Sequence, residues 1–200
     1  MPDLTALQRI CGLLDRGEID RVEFLEQFTR RVAQDVGCSR AAVRMLIHAP
    51  EGAALRCLSI FDTVSGQPSK APDMVADDSS AYFEELLHHG YVMAADCRHE
   101  SATAPFAARY FEPLGVLSLL DVAFSVNGIL YGTFSCEQVG SMQAWTPAQL
   151  HLLRQIASRA SLTLMHAITS QIDTTPGALW EPSTPNRLMT MPMALDGHQH

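Results

Sequence analysis

The densest group of chemistry-bearing side chains in this 200-residue sequence is Asp96-Cys97-Arg98-His99-Glu100. Arginine beside histidine can hold an anion through charge-assisted hydrogen bonds. A thiol flanked by cations becomes a reactive thiolate once its pKa falls. On that reading Asp96, Arg98 and His99 rim a pocket and Cys97 is a redox candidate; the competing reading is a solvated loop after a strand. No metal site is expected, because Cys97 and His99 at i, i+2 with one remote thiol, Cys136, fall short of the usual four zinc ligands. His88 and His89 are consecutive on a helical segment and do not share a face, so they do not pair on a metal either. Cys11, Cys38 and Cys57 lack flanking basic or histidine partners and read as structural.

A second set lies on one extended run, Ile129 to Glu137. Period-two alternation puts Tyr131, Thr133, Ser135 and Glu137 on one face, with Leu130, Gly132, Phe134 and Cys136 on the other. The apolar set is expected to pack on helices, making Cys136 a core residue. Glu137 either anchors a donor on a ligand or bonds the backbone of the following turn, Gln138-Val139-Gly140. Ser118, opening the preceding run, either caps a loop or touches ligand. Tyr82, Phe83, Phe106, Tyr110 and Phe111 are candidate pocket walls, or plain core.

The elements that must carry these residues are legible from spacing. Leu4, Leu7, Ile10 and Leu14 share a helical face up to Asp15-Arg16-Gly17. Asp20 with Glu23 three residues on is a capping box opening a helix from 21 to 36, closed by Gly37. Ala42–His48 and Leu55–Phe61 read as two strands about a Pro50-Glu51-Gly52 turn, and residues 62–78 as a loop. Tyr82–His89 is a short helix closed by Gly90, Tyr91–Ala95 a strand, and Pro105–Leu114 one or two helical turns. Val116–Val126 and Ile129–Glu137 are strands joined by Asn127-Gly128, both of which tolerate positive φ. Thr146-Pro147-Ala148-Gln149 opens a helix whose apolar stripe runs from Leu150 to Ile168. Periodicity ends at Ser170, and residues 171–200 hold four of the eleven prolines, so a flexible tail is expected there. Hairpins with covering helices make an α+β domain built on an antiparallel sheet.

Composition narrows the function classes. The formal charge is -8, from 14 Lys+Arg against 22 Asp+Glu. Thirteen of the basic residues are arginines, scattered without a run, and Lys70 is the sole lysine. Neither nucleic acid nor an anionic membrane is therefore an expected partner. Five widely spaced cysteines without a CxxC suit reduced thiols in a cytoplasm. The longest apolar stretch, Val116–Phe124, is too short to span a bilayer, and the N-terminus has no signal-peptide pattern.

From Tyr91 to Leu164 the order of motifs resembles the GAF family, in the form found in bacterial sensor kinases, phytochrome-related receptors and cyclic-nucleotide signalling proteins. The residues that carry it are Ala94-Ala95-Asp96, Tyr110-Phe111-Glu112-Pro113-Leu114-Gly115-Val116-Leu117-Ser118, Leu119-Leu120-Asp121-Val122, Asn127-Gly128, Tyr131-Gly132, Cys136-Glu137-Gln138-Val139-Gly140 and Trp145-Thr146-Pro147. The N-terminal elements fit the same fold, extending the resemblance to roughly residues 20–168. Three segments follow: an N-terminal helix (1–19), a GAF-like domain (20–170) and the tail (171–200).

The resemblance implies a central antiparallel sheet with helices behind and a small pocket in front, closed by the segments around residues 70–115. It implies a sensory or regulatory domain that binds a small ligand and forms a homodimer through helices 21–36 and 147–168. A separate signalling effector is then needed, unless the chain is part of a longer one. Glu137 stands where related photoreceptors carry a pocket-facing histidine. The segment Thr103-Ala104-Pro105-Phe106 lacks the Cys-His pair or Asp-rich motif of bilin-binding members, so covalent bilin is not expected. The Asn-Lys-Phe-Asp-Glu set of the cyclic-nucleotide-binding members is also missing, which leaves the ligand open. Two alternatives remain: a redox enzyme of the free methionine sulfoxide reductase kind using Cys97, and a ligand-free dimerisation module.

Overall fold

One side-chain N-cap, at Asp20, and one full capping box, at Thr146, set the two long helices that back the sheet. The computed structural model describes residues 4–49, 52–76 and 80–169; the tail expected at 171–200 lies outside them. Helix α1 spans Thr5–Asp15. Helix α2 spans Arg21–Val36, with the Asp20 carboxylate accepting from the Glu23 amide at 2.8 Å and Gly37 closing it at φ 74°. Helix α5 spans Pro147–Thr169. Its cap is reciprocal: the Gln149 amide donates to the Thr146 hydroxyl at 3.2 Å, and Gln149 Oε1 accepts the Thr146 amide at 3.0 Å. Each such cap satisfies helix-terminal donors that would otherwise lack partners.

The strands are β1 (Arg40–Ala49), β2 (Gly52–Asp62), β3 (Gln67–Ser69), β4 (Met74–Ala76), β5 (Tyr91–Ala94), β6 (Val116–Val126) and β7 (Ile129–Val139). They form one antiparallel sheet in the order β3-β2-β1-β7-β6-β5, with β4 also on β2. The segment expected to be a plain loop at 62–78 thus contributes two three-residue strands. Strand β3 pairs with Ile60–Asp62 and β4 with Ala53–Leu55, so both run along the outer edge of β2. Such short edge pairs offer no alternation for a sequence pattern to reveal. The β6–β7 hairpin turns on Asn127 (φ 52°) and Gly128 (φ 77°), the backbone of a type I′ turn.

The two faces of the sheet are covered differently. Behind it, α1, α2 and α5 bury an apolar core including Phe24, Phe28, Val43, Leu120, Phe124, Phe134, Cys136 and Ile156. In front lie α3 (Ala81–His89), a 3₁₀ turn at Ala104–Phe106, a π turn at Ala107–Phe111 and a single α turn, α4 (Glu112–Leu114). These cover a second core with Leu55, Met74, Tyr82, Phe83, Cys97, Phe106, Tyr110 and Phe111.

One expected alternation is corrected. Leu130 faces the front core and Tyr131 packs against the back one, opposite to the parity of Thr133 and Phe134. The cause is a bulge. Phe124 pairs with Gly132 and Ser125 with Leu130, so Tyr131 is left over and the side-chain parity flips beyond it. Tyr131 then stacks near Phe124, with ring centroids 5.7 Å apart. Gly132 permits this because β1 runs unusually close: a Cβ there would lie 1.9 Å from the Arg44 carbonyl oxygen. A second bulge, on β2, leaves Leu58 unpaired between Ser59 opposite Val43 and Cys57 opposite Arg44.

Candidate functional site

The front face of the sheet buries a charged network. Strand β1 supplies Arg44, β6 supplies Asp121 and β7 supplies Thr133, Ser135 and Glu137; all five are fully buried. Their strand parity aims them at the same side, and the ladder brings them level, with Arg44 opposite Thr133 and Asp121 opposite Ser135. From above, α3 contributes Tyr82 and the π turn contributes Tyr110.

Arg44 Nη2 donates to Glu137 Oε1 at 2.7 Å and also to the Tyr110 hydroxyl. That hydroxyl donates to the same Glu137 oxygen at 2.7 Å. The Arg44 guanidinium sits over the Tyr110 ring, 4.8 Å from its centroid, within cation–π range. The Tyr82 hydroxyl donates to Asp121 Oδ2. The Thr133 and Ser135 hydroxyls are 3.2 Å apart. Around them, Tyr82 meets Phe83 and Phe106 edge to face at 5.3 and 5.1 Å.

Burial tunes these groups. Burial opposes the Arg44 charge, but Tyr110 and Glu137 outweigh it and hold the guanidinium protonated. The Tyr110 and Tyr82 hydroxyls are pushed up, first by burial, so both remain donors. Burial lifts the Asp121 carboxyl to about 6 against the opposing pull of the Tyr82 hydroxyl. Four atoms of the network have no hydrogen-bond partner: Arg44 Nε and Nη1, Glu137 Oε2 and Asp121 Oδ1. Unsatisfied buried polar atoms are costly. Here they comprise both donors and acceptors, enough to engage a small polar molecule or ordered water.

The expected site residues divide into two groups. Tyr82, Phe83, Phe106, Tyr110, Thr133, Ser135 and Glu137 belong to the buried front face. Glu137 binds Arg44 and Tyr110 there, and not the backbone of the following turn. Asp96, Arg98 and His99 form a separate, self-contained turn. Asp96 Oδ1 accepts from Arg98 Nε at 3.1 Å, and His99 Nδ1 lies 2.9 Å from Asp96 Oδ2. Hydrogen bonds from Arg98, then His99, hold the Asp96 carboxyl well below the usual range. The His99 side chain is 76% exposed. Glu100 Oε1 accepts the Ala95 amide at 2.7 Å, closing the turn.

Cys97, the redox candidate should those cations lower its pKa, is fully buried and donates toward the Val116 carbonyl at 3.5 Å. Burial, and next the Asp96 charge, push its thiol up to about 12, opposite to what a nucleophile needs. Ser118 pins two loops: its hydroxyl donates to the Ala95 carbonyl and accepts the Gln143 amide, each at 2.7 Å.

Sequence reasoning missed Arg44 and Asp121. The signal was available, because each is a lone charge inside an apolar strand run. Among the described residues no cluster of three or more metal-ligating side chains occurs. No helix among them is long and apolar enough to cross a membrane.

Comparison with known proteins agrees with this architecture. No curated protein matches the chain. Among solved structures, the chain is similar to the phycocyanobilin-bound GAF domain of a cyanobacterial phytochrome (15% identity, 83% of this chain and 95% of that one, TM-score 0.63). It is also similar to the blue-light-absorbing form of the Thermosynechococcus elongatus PixJ GAF domain (17% identity, 87% and 96%, TM-score 0.56). A third neighbour is the photosensory core module of Stigmatella aurantiaca phytochrome (14% identity, 86% of this chain and 38% of that one, TM-score 0.56). At such identities the likeness concerns the fold. The GAF domain model matches residues 20–164. With that match over most of its length, the chain belongs to the GAF domain family.

Proposed function

We propose that this chain is a sensory GAF module that binds a small polar ligand on the front face of its sheet and signals to a separate effector. The observation carrying the reading is the set of four unpartnered buried atoms on Arg44, Glu137 and Asp121. A ligand offering acceptors to Arg44 and a donor to the two carboxylates would satisfy atoms that the protein leaves bare. Tyr110 holds both Arg44 and Glu137 from the π turn, so a ligand competing for either would shift the 104–114 segment. That population shift would be transmitted to a homodimer formed by helices 21–36 and 147–168. Asp96, Arg98 and His99 then act as the scaffold of an adjoining turn. All five cysteines are free, which supports a reducing, cytoplasmic setting.

The phycocyanobilin of the first neighbour is not carried over. Arg44, Tyr82, Phe106 and Tyr110 are themselves buried in front of the sheet, and Cys97, the thiol in that core, is buried with its pKa raised. The same raised thiol removes the support for a methionine sulfoxide reductase using Cys97.

Native mass spectrometry and an absorption spectrum of the purified full chain test the reading. A bound small-molecule mass is expected, with occupancy reduced in Ser135→Ala and lost in Arg44→Met. Protein mass alone, unchanged by either substitution, favours the ligand-free dimerisation module.

A further inference from the structure

Behind the sheet, away from the polar network, a cavity of about 330 Å³ lies between α1, α2 and α5. Leu7, Phe28, Ile156 and Ala160 make an apolar floor, while half-buried Cys11 and exposed Asp15 on α1 and exposed Arg159 on α5 stand at its rim. Among the described residues Arg159 forms no ion pair. A space of this size, at the low end of the roughly 300–1,000 Å³ typical of ligand pockets, accepts one large side chain.

We propose that this groove is a docking site for the chain's own segment Leu179-Trp180-Glu181, with the indole on the apolar floor and Glu181 against Arg159. Three observations single out this occupant. First, α5 is itself a wall of the groove, and the chain leaves α5 at Thr169, six residues beyond the lining residue Thr163. Six helical residues amount to about 9 Å. The ten residues 170–179 span about 17 Å as a coil and at most about 35 Å when extended. The tether therefore suits the distance, and such linkers give effective concentrations near the millimolar range. Second, Trp180 is the only Phe, Tyr or Trp after α5, and tryptophan is among the side chains enriched at the buried anchors of interfaces. Third, an acidic residue directly follows it, complementary to Arg159 on the α5 side of the rim, with Asp15 on the opposite, α1 side. A docked segment would cover the flank of α5 beside Leu162, which is 54% exposed. It would thereby compete with any partner helix for that surface.

The test uses the full chain. Subtracting the emission of Trp180→Phe from that of wild type isolates Trp180, because the other tryptophan, Trp145, is common to both. Docking predicts a blue-shifted difference spectrum resistant to acrylamide. It also predicts that Leu179→Ala/Trp180→Ala speeds iodoacetamide labelling of Cys11, followed by peptide mass spectrometry, by about five-fold or more. This second readout leaves Trp145 and the folded core untouched. A difference spectrum of solvent-exposed tryptophan, or an unchanged Cys11 rate, overturns the proposal. Protection of Cys11 that disappears on dilution of the protein also overturns it, by assigning the groove to a second copy. Loss of bound ligand at the front face leaves these readouts unaffected, so the two readings fail separately.

Discussion

The two faces of one sheet solve burial in opposite ways. The back face is a hydrocarbon core in which Phe24, Phe28, Phe124 and Phe134 stack in a chain of centroid contacts at 5.5 to 5.7 Å. The front face buries an arginine, two carboxylates and two tyrosine hydroxyls within an aromatic shell. The back face gains stability chiefly from apolar area, roughly 25 cal/mol per Å², and buries no charged side chain. The front face must offset the desolvation of each charge with a partner, and replacing such a pair by apolar side chains is often neutral or stabilising. A network with bare atoms is therefore poorly explained as a device for stability. On the proposed reading the back face is scaffold and the front face is the ligand site.

Breaking the front pair should be the most costly change. Arg44→Met leaves the Glu137 carboxylate buried without its cation, and a loss of about 3–5 kcal/mol in urea unfolding is expected. The double variant Arg44→Met/Glu137→Leu should recover much of that loss. If the double variant is as unstable as the two single losses added together, the charges support the fold, and the contrast between faces fails. On the back face, Phe134→Ala should cost a similar or slightly smaller amount, about 3–4 kcal/mol, through the cavity it opens. No second substitution at a polar site should rescue it.

The pH dependence sharpens the contrast. The Asp121 carboxyl lies at about 6 in the folded chain, against an ordinary 3.8. The folded protein thus binds more protons than the unfolded chain between those values, so this group's contribution falls as pH rises through the window and is flat above it. About 3 kcal/mol is the expected scale. Comparing thermal unfolding at pH 4 and pH 7 in wild type and Asp121→Asn checks it, since the asparagine variant should lose this component. Smaller still is Ser118→Ala, which removes one hydrogen bond to Ala95 and one from Gln143. About 1–2 kcal/mol is expected, together with faster amide exchange in the Asp96–Glu100 turn. An unchanged exchange rate would detach that turn from the sheet.

Much of the fold was open to reading because its signals are local. Asp20 with Glu23, Thr146 with Gln149, and Asn127-Gly128 each act over a few residues, and each forms the cap or turn its chemistry requires. The site was legible only in part. Tyr82, Tyr110, Thr133, Ser135 and Glu137 could be grouped by parity and by the resemblance, whereas the Asp96–Glu100 cluster drew attention by density alone. In three dimensions that cluster is satisfied by its own members, with Asp96 taken up by Arg98 and His99.

Sequence alone determined the α+β class, the helix ends, the main hairpin and the front-facing parity of Thr133, Ser135 and Glu137. Each of these depends on interactions between residues close in the chain or on strict alternation. Only the tertiary structure decided that Arg44, 93 residues from Glu137, would become its partner. It alone decided that Cys97 would be a buried thiol with a raised pKa, and that one leftover residue, Tyr131, would reverse the parity of β7. Those outcomes depend on which strands lie side by side and on how much water is excluded between them. Neither strand neighbours nor local dielectric is encoded in any short stretch of residues.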